Sequence, residues 1–452
     1  MSKSKITISA FTPPPNGLIN ARKDGKVYAS KFIEDFQTIE RYQEYKDCGF
    51  DEMLFAGEDK YIGEEYQTSK LKKMLDLCEK CGIKAVVFDE RIVSMTVKTQ
   101  NSIIGELFDS EQELDDYLKE CVKDYKDHPA FYGVSIIDEP FIAKVDVVHQ
   151  FAKAMKRVLP NAFVHTCFNP LSCVEGGPMQ SVVLGEGKTG YEAYGNYIDK
   201  MSVPELGYWG YDDYPFKWWE GCSMVEKYVT TMQFVSLRCK KNNLPFHMTI
   251  QSYANNTVDR KGNPKTLTQG HFNWLANLAL GFGAKKIYYY TYWRFSTRSK
   301  LDQPDVAIMN EDGSKIFYNE VKNTNQLIKK TFEEIGEYDY VASQLLNSYN
   351  GNDSTKNLVS TDLGVIAEYS SDAPLLLNKL QRSDGKTIYM LQNLRHPEDN
   401  ELNKVRLVFN KNKDPFTALV NGEKVVVNNN NERALLFALE PGEAVWFLDL
   451  EN

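Results

Sequence analysis

From Ile6 onward, short runs rich in β-branched and aromatic residues alternate with longer stretches whose apolar positions recur three and four residues apart. The first pattern is that of a buried strand, the second that of an amphipathic helix. Eight strands are predicted, at Ile6–Phe11, Glu52–Ala56, Ala85–Asp89, Gly133–Asp138, Phe163–Phe168, Gly207–Asp212, His247–Gln251 and Lys286–Tyr292. Helices are predicted between them in FIEDFQTIERYQEYKDCG, SKLKKMLDLCEKCG, EQELDDYLKECVKDYK, VVHQFAKAMKRVL and MVEKYVTTMQFVSLRCKKN. Several of these end at a Gly or Asn stop signal. Eight βα repeats over about 340 residues match the size of an α/β fold of the (β/α)8 TIM-barrel type with a few enlarged loops. After the helical stretch NEVKNTNQLIKKTFEEIG the pattern changes to short alternating strands divided by SDG, NG and PG turn signals. That ending predicts a small C-terminal antiparallel β-sandwich of roughly 100 residues. The expected division is residues 1–345 for the barrel and 346–452 for the sandwich.

Composition narrows the partners. The 452 residues carry 53 Lys+Arg against 62 Asp+Glu, a net charge of −9, with 42% apolar residues. A disordered or fibrous chain is excluded, and without a block of basic residues nucleic acid is not an expected partner. The apolar stretches Trp274–Ala284 and Ile287–Trp293 are shorter than the roughly 20 residues that cross a bilayer, so no membrane partner is expected. The opening MSKSKITISAF runs directly into a strand-like segment with no apolar centre of signal length, which makes a cytoplasmic location the expectation. Eight scattered cysteines read as reduced thiols. Cys78 and Cys81 form CEKC, but at the end of an amphipathic helix and with no second Cys or His pair at metal-site spacing.

In a barrel of this type, chemistry gathers at the carboxyl ends of the strands. Strand two ends in Gly57, Glu58 and Asp59, strand three in Asp89, Glu90 and Arg91, and strand four in Asp138, Glu139 and Pro140. Strand five ends in Asn169, strand six in Asp212, Asp213, Tyr214 and Pro215, strand seven in Gln251, Ser252 and Tyr253, and strand eight in Tyr292, Trp293 and Arg294. Carboxylates with aromatic rings suit a neutral polyhydroxylated ligand, since acids and amides accept from hydroxyls and Tyr or Trp faces cover a sugar ring. Carbohydrate is therefore the expected substrate class. A Mg or Mn site built from the same carboxylates competes with it. With six His in the chain and none clustered at strand ends, zinc is not expected, and the preferred reading needs neither metal nor cofactor.

The sharpest signal is HPAFYGVSIIDEP, residues 128–140. Adjacent Asp138 and Glu139 at the end of an apolar strand crowd two like charges, which tends to keep one carboxyl protonated. A protonated carboxyl donates to the leaving oxygen in glycoside cleavage while a second group meets the developing positive charge. The plain alternative is a turn cap for Asp138 and a surface ion pair for Glu139. Asp212 and Asp213, in GYWGYDDYPFKWW, are read as sugar ligands, as the base of an inverting enzyme, or as a turn that bonds its own backbone. Trp218, Trp219 and Trp293 are stacking platforms or core. Residues 171–204, with GGP, GEGKTG and YEAYGNY, read as an enlarged loop over the mouth carrying Glu186 as an extra acid. GEGKTG lacks the full spacing of a phosphate loop.

The strand-four Glu-Pro, the aromatic end of strand eight and the plan of barrel plus β-sandwich resemble the barrel glycoside hydrolases, in which that Glu is the acid/base. In the large clan typified by cellulases and β-galactosidases, the acid follows Asn and a second Glu closes strand seven as nucleophile. Here Asp138 stands in place of the Asn, and strand seven, HMTIQSY, ends in Gln251, which cannot be a nucleophile. The Asp-Glu pair is more similar to the substrate-assisted β-N-acetylhexosaminidases, in particular to glycoside hydrolase family 123, which acts on β-N-acetylgalactosaminides. That resemblance implies that the substrate's own 2-acetamido oxygen attacks the anomeric carbon, with Asp138 orienting it and Glu139 acting as acid and then base. It further implies a tyrosine on the acetamido oxygen, for which Tyr214, Tyr253 and Tyr290 are candidates. Glu90, Asp212, Asp213, Gln251 and Trp293 complete the expected substrate contacts. Two other readings stand beside it: a retaining or inverting β-glycosidase whose second carboxylate is Asp212, Asp213 or Glu90, and a barrel that binds carbohydrate without turnover.

Overall fold

The computed structural model describes residues 4–23, 26–55, 65–171, 180–216, 218–219, 222–223, 227–254, 266–294, 306–347, 353–399, 401–410, 415–428 and 434–450. All eight expected strands are present: β1 (Thr7–Phe11), β2 (Glu52–Leu54), β3 (Lys84–Phe88), β4 (Phe131–Asp138), β5 (Phe163–Cys167), β6 (Trp209–Asp212), β7 (Phe246–Gln251) and β8 (Lys286–Tyr290). They pair in parallel in the order β5-β4-β3-β2-β1-β8-β7-β6, a barrel sheet closed around β1. The surrounding helices are α1 (Ile39–Asp47), α2 (Lys70–Lys80), α3 (Glu90–Lys98), α4 (Glu111–Val122), α5 (Val145–Val158), α6 (Gly190–Met201), α7 (Tyr228–Lys241), α8 (Gln269–Gly281) and α9 (Tyr318–Ile335). Each βα turn returns the chain to the next strand, and the apolar helix stripes bury against the outward strand residues, as Leu71, Met74 and Leu75 of α2 do.

The seam between β5 and β6 is the weak point of the ring. Its ladder is a single bridge, Phe168 to Tyr211, with the Phe168 N–H donating to the Gly210 carbonyl at 2.9 Å. A side chain completes the closure: the Tyr208 hydroxyl accepts from the Thr166 N–H and donates to the Thr166 carbonyl, both at 2.8 Å. Phe168 and Trp209 stack across the join with ring centroids 3.8 Å apart. Backbone groups that the sheet leaves open are thus paired rather than buried alone.

Inside the barrel, the inward positions of alternate strands fill the lumen. The lowest layer is charged: Lys286 Nζ lies 2.6 Å from Glu52 Oε1, with the two side chains 6% and 0% exposed. The ammonium also sits 4.1 Å from the centroid of Phe163 and 4.9 Å from that of Tyr288. His165, bonded to Ser135 Oγ through Nδ1 at 3.1 Å, and His247, stacked on Tyr208, line the same interior. Burial, followed by the Lys286 charge, holds His165 down at about 3, and the same two causes hold His247 well below its ordinary range.

One local expectation is corrected. The helix expected from Phe32 begins only at Ile39, where the Thr38 side chain accepts from the Arg41 N–H. Residues before it form a hairpin of Asn16–Lys23 with Lys26–Asp35. At the other end, the division at 345/346 runs through β9 (Asp339–Leu346), which pairs with β11 (Leu375–Gln381). The remaining strands are β10 (Ile366–Ser371), β12 (Thr387–Asn393), β13 (Asn403–Phe409), β14 (Phe416–Val420), β15 (Glu423–Val427), β16 (Ala434–Leu439) and β17 (Ala444–Phe447). They form antiparallel sheets β9-β11-β12-β17-β14-β15 and β10-β13-β16, which share one core of Leu375, Leu377, Leu391 and Phe447 with Leu407, Phe409 and Leu439. This unit sits on α8, where Asn378 Nδ2 donates to the Gly281 carbonyl and Gln392 Nε2 to the Trp274 carbonyl at 3.1 and 3.0 Å. A Cβ at Gly281 would overlap Met390. No described helix is long and apolar enough to cross a membrane.

Two expectations test the interior. Lys286→Met leaves Glu52 buried without its cation and should cost about 3–5 kcal/mol, read as a fall in the thermal midpoint. His165 is neutral in the fold down to about 3 but takes a proton in the unfolded chain below its ordinary 6.5. Stability is therefore present above that value and is lost as the pH falls from 6.5 toward 3, at about 1.4 kcal/mol per pH unit per buried histidine. Urea unfolding across that window should show a slope reduced by about one proton in His165→Gln; an unchanged slope contradicts the assignment.

Candidate active site

The carboxyl end of β4 departs from simple alternation. Ser135 is in register with the inward-facing His165, yet Ile137 lies opposite Thr166 and Asp138 opposite Cys167. Three steps along β4 therefore match two along β5, a β-bulge at Ile136. Had the period of two continued from Ser135, Asp138 would lie on the outer face; the bulge brings it into register with Cys167 instead. Asp138 and Glu139 are both exposed. Glu139 then leaves the strand at φ +44°, while its N–H donates to the Cys167 carbonyl at 2.8 Å. A left-handed conformation costs a non-glycine residue about 1–2 kcal/mol, and Pro140 behind it disfavours the right-handed alternative. The Pro140 carbonyl accepts from the Tyr197 hydroxyl at 2.6 Å and from Asn169 Nδ2 at 3.3 Å, and the Asn169 carbonyl accepts from the Tyr194 hydroxyl at 2.8 Å.

Asp212 ends β6 and is 9% exposed. Cys167 feels the charge of three of these acids: burial pushes its thiol up, and Asp212, Asp138 and Glu139 push it further in the same direction. Beside them the three expected tyrosines do come together. Tyr214 stacks on Tyr290 at 5.5 Å and meets Tyr253 edge-on at 5.3 Å, and Tyr253 meets Tyr290 edge-on at 5.7 Å. Burial raises the Tyr214 phenol, and the Asp212 charge raises it again, so this hydroxyl stays protonated next to the acids. The Tyr290–Thr291 peptide after β8 is cis. The arrangement sets carboxyls, which can in principle give or take a proton, near a cluster of three tyrosine rings.

Four other expected residues are buried. Gln251 is 1% exposed; its Oε1 accepts from the Phe216 N–H and its Nε2 donates to the Tyr253 carbonyl, both at 2.9 Å. Asp213 is fully buried, accepts from the Tyr214 N–H at 3.0 Å, and adds its charge to the environment of Tyr194, Tyr211 and Tyr228 on the outer side of β6. Trp293, expected as a sugar platform, is fully buried with Phe36 at 4.7 Å and the Arg41 guanidinium over its ring. Glu90 is 7% exposed in the first turn of α3, behind Asp89, which caps that helix, chelates Arg91 and accepts from Tyr125. A carboxylate in a first helical turn is favoured by the helix dipole.

Gly57, Glu58 and Asp59, and the side chains of Trp218 and Trp219, lie outside the described residues. The expected loop 171–204 contains a short helix, Gln180–Leu184, and α6. YEAYGNY is helical, with Tyr194, Tyr197, Ile198 and Met201 buried at three- and four-residue spacing. Tyr194, Tyr197 and Cys167 went unpredicted, although that spacing is itself a helix signal. Among the described residues the one gathering of metal-type donors is Asp76, Glu79 and His128. Lys72 already holds Asp76 at 2.8 and 2.9 Å.

No protein-family model matches this sequence, and no curated protein matches it. Among solved structures, a protein described as a glycoside hydrolase aligns over 99% of this chain and 95% of its own, at 9% identity and TM-score 0.54, a likeness of fold. A glucosidase from Croceicoccus marinus aligns over 99% and 96% at 8% identity and TM-score 0.45. A β-galacturonidase from Eisenbergiella tayi aligns over 72% of this chain at 12% identity and TM-score 0.44; this chain spans 51% of its length.

Since Gln251 is held from both ends, Gln251→Glu should not act as a nucleophile. It places a carboxylate oxygen against the Tyr253 carbonyl in place of a donor and should cost about 1–3 kcal/mol. The expected result is a lower thermal midpoint with no gain in hydrolysis of plain aryl glycosides; a gain of turnover overturns the structural role.

Proposed function

We infer that this chain is a glycoside hydrolase, and that it acts on β-N-acetylhexosaminides, the β-N-acetylgalactosaminides foremost, by substrate assistance. The observation that carries the reading is the end of β4, where a bulge puts Asp138 in register with Cys167 and a left-handed Glu139 follows it. Strained conformations of this kind persist where the surroundings enforce them, and they cluster at active sites. The occupied amide of Gln251 adds to it, because the strand-seven position supplies no carboxylate. Fold alone assigns no activity, so the reading rests on these residues.

In this mechanism the bond from the anomeric carbon to the leaving oxygen breaks as the acetamido carbonyl oxygen bonds to that carbon, giving a cyclic oxazolinium. Asp138 orients the acetamido N–H and balances the charge that develops, and a tyrosine of the Tyr214, Tyr253 and Tyr290 wall donates to the acetamido oxygen. The Glu139 carboxyl gives its proton to the leaving oxygen. Water then attacks the anomeric carbon, the Glu139 carboxylate takes its proton, and the ring opens to the free sugar. A second reading is a β-glycosidase with Glu139 as acid and Asp212 as second carboxylate, favoured by the charge that Asp212 shares with Asp138 and Glu139 at the Cys167 thiol.

The test is nitrophenol release from aryl β-N-acetylgalactosaminide and β-N-acetylglucosaminide against the galactoside and glucoside. Turnover confined to the acetamido sugars is expected. Glu139→Gln should lower it by about 10²–10⁴-fold, the ordinary worth of a general acid/base. Asp138→Asn should be similarly impaired and Asp212→Asn much less. Equal turnover of the plain glycosides, lost in Asp212→Asn, moves the assignment to the second reading. Binding of all four without product from the wild type leaves a carbohydrate-binding barrel.

A further inference from the structure

We propose that Tyr197 is a positioning residue for Glu139: through the Pro140 carbonyl, its hydroxyl fixes the left-handed turn that carries the proton-donating carboxyl. This deepens the assignment of Glu139 as the acid and rests on it. At φ +44° Glu139 is held away from its intrinsic preference, so contacts on both sides must offset that cost. Before it, the Glu139 N–H donates to the Cys167 carbonyl. After it comes Pro140, which has no N–H of its own to anchor the turn, so the anchor falls to its carbonyl. That oxygen takes the 2.6 Å bond from Tyr197 and the longer one from Asn169 Nδ2.

Tyr197 is suited to the task because it is itself immobile. It lies on α6, is fully buried, and packs edge-on against Trp209 at 5.9 Å and Phe168 at 6.5 Å, the two rings that close the β5–β6 seam. Its neighbour Tyr194 pins Asn169 from the same helix. Burial raises the Tyr197 phenol, with the Glu139 charge adding to it, so the hydroxyl remains a donor. The position of the acid on β4 is thereby tied to a helix more than fifty residues further along the chain.

A misplaced acid has a kinetic signature that a loosened fold lacks. Proton donation matters most when the leaving group is poor and little when it is good. The experiment compares wild type, Tyr197→Phe, Asn169→Ala and Tyr208→Phe on aryl glycosides of the preferred sugar, from dinitrophenyl to phenyl leaving groups. Tyr208→Phe is the control: an equally buried tyrosine that bonds only backbone at the seam. Tyr197→Phe should lose about 10- to 100-fold in kcat/KM on the phenyl glycoside, as sub-ångström to ångström displacements of a reacting group do, and less than about twofold on the dinitrophenyl glycoside. Asn169→Ala should lean the same way more weakly, and Tyr208→Phe should shift every substrate alike.

A uniform loss in Tyr197→Phe, or none, while Glu139→Gln keeps its leaving-group dependence, overturns the positioning role and leaves the acid assignment intact. If Glu139→Gln itself shows no such dependence, the acid assignment fails and the positioning role fails with it. If Tyr197→Phe does not fold, Asn169→Ala decides the matter by the same criterion.

Discussion

The buried pair of Lys286 and Glu52 sets the terms for this barrel. Eight parallel strands enclose an interior that only their own inward side chains can fill, and here the lowest layer holds two opposite charges in place of aliphatic groups. Such a pair is stable only when attraction and further contacts offset the desolvation of both ions. The structure supplies them as a 2.6 Å ion pair and aromatic faces on the ammonium. Because Glu52 belongs to β2 and Lys286 to β8, the pair reaches across β1 and fixes the strands on either side of it. Burial is the main reason that His165 and His247 stay neutral, and the buried ammonium adds to it, since an imidazolium beside it would place like charges together.

With the floor fixed, the opening tolerance lies on the opposite side of the ring, at the β5–β6 seam. A single backbone bridge would leave this edge open, and the remedy is aromatic: the Tyr208 hydroxyl pairs Thr166, and Phe168 stacks on Trp209. The same rings then receive Tyr197 from α6. The side chains that close the barrel are therefore in direct contact with those that hold the turn after Asp138. Stability and site geometry meet at Phe168 and Trp209, and the hydroxyls of Tyr194, Tyr197 and Tyr208 each bond a backbone carbonyl in this region.

Much of this was legible in the amino-acid order. Parallel strands buried on both faces read as short, nearly continuous apolar runs, and all eight stand where such runs occur. The Asp-Glu-Pro end of β4 and the gathering of Tyr214, Tyr253 and Tyr290 also follow from placing chemistry at strand ends. What escaped depends on events off the repeating pattern. A bulge at Ile136 changes which face Asp138 occupies without altering the composition of the strand. Trp293 reads like a sugar platform, but whether a ring at a strand end faces the mouth or Phe36 and Arg41 is decided by tertiary contacts. YEAYGNY follows GGP and GEGKTG in a stretch that reads as loop, although its tyrosines keep helical spacing. The hairpin before α1 is overshadowed in the sequence by the helical pattern that follows it.

The polar residues at the strand ends divide according to how the backbone uses them. Asp89 is consumed by a helix cap, an Arg91 chelate and a Tyr125 hydroxyl; Asp213 accepts from the Tyr214 N–H in a fully buried position; Gln251 bridges Phe216 and Tyr253. Each is an acceptor that the loops require in order to bury polar backbone, since a buried donor left without a partner costs more than the bond gains. Asp138 and Glu139 are exposed, and the turn on which they sit draws its anchorage from other groups, the Cys167 carbonyl before it and Tyr197 and Asn169 after it. A site of this kind requires that separation. On the proposed function these carboxyls exchange protons with a substrate, and they can do so reproducibly only if the strained backbone beneath them is secured by residues that do not.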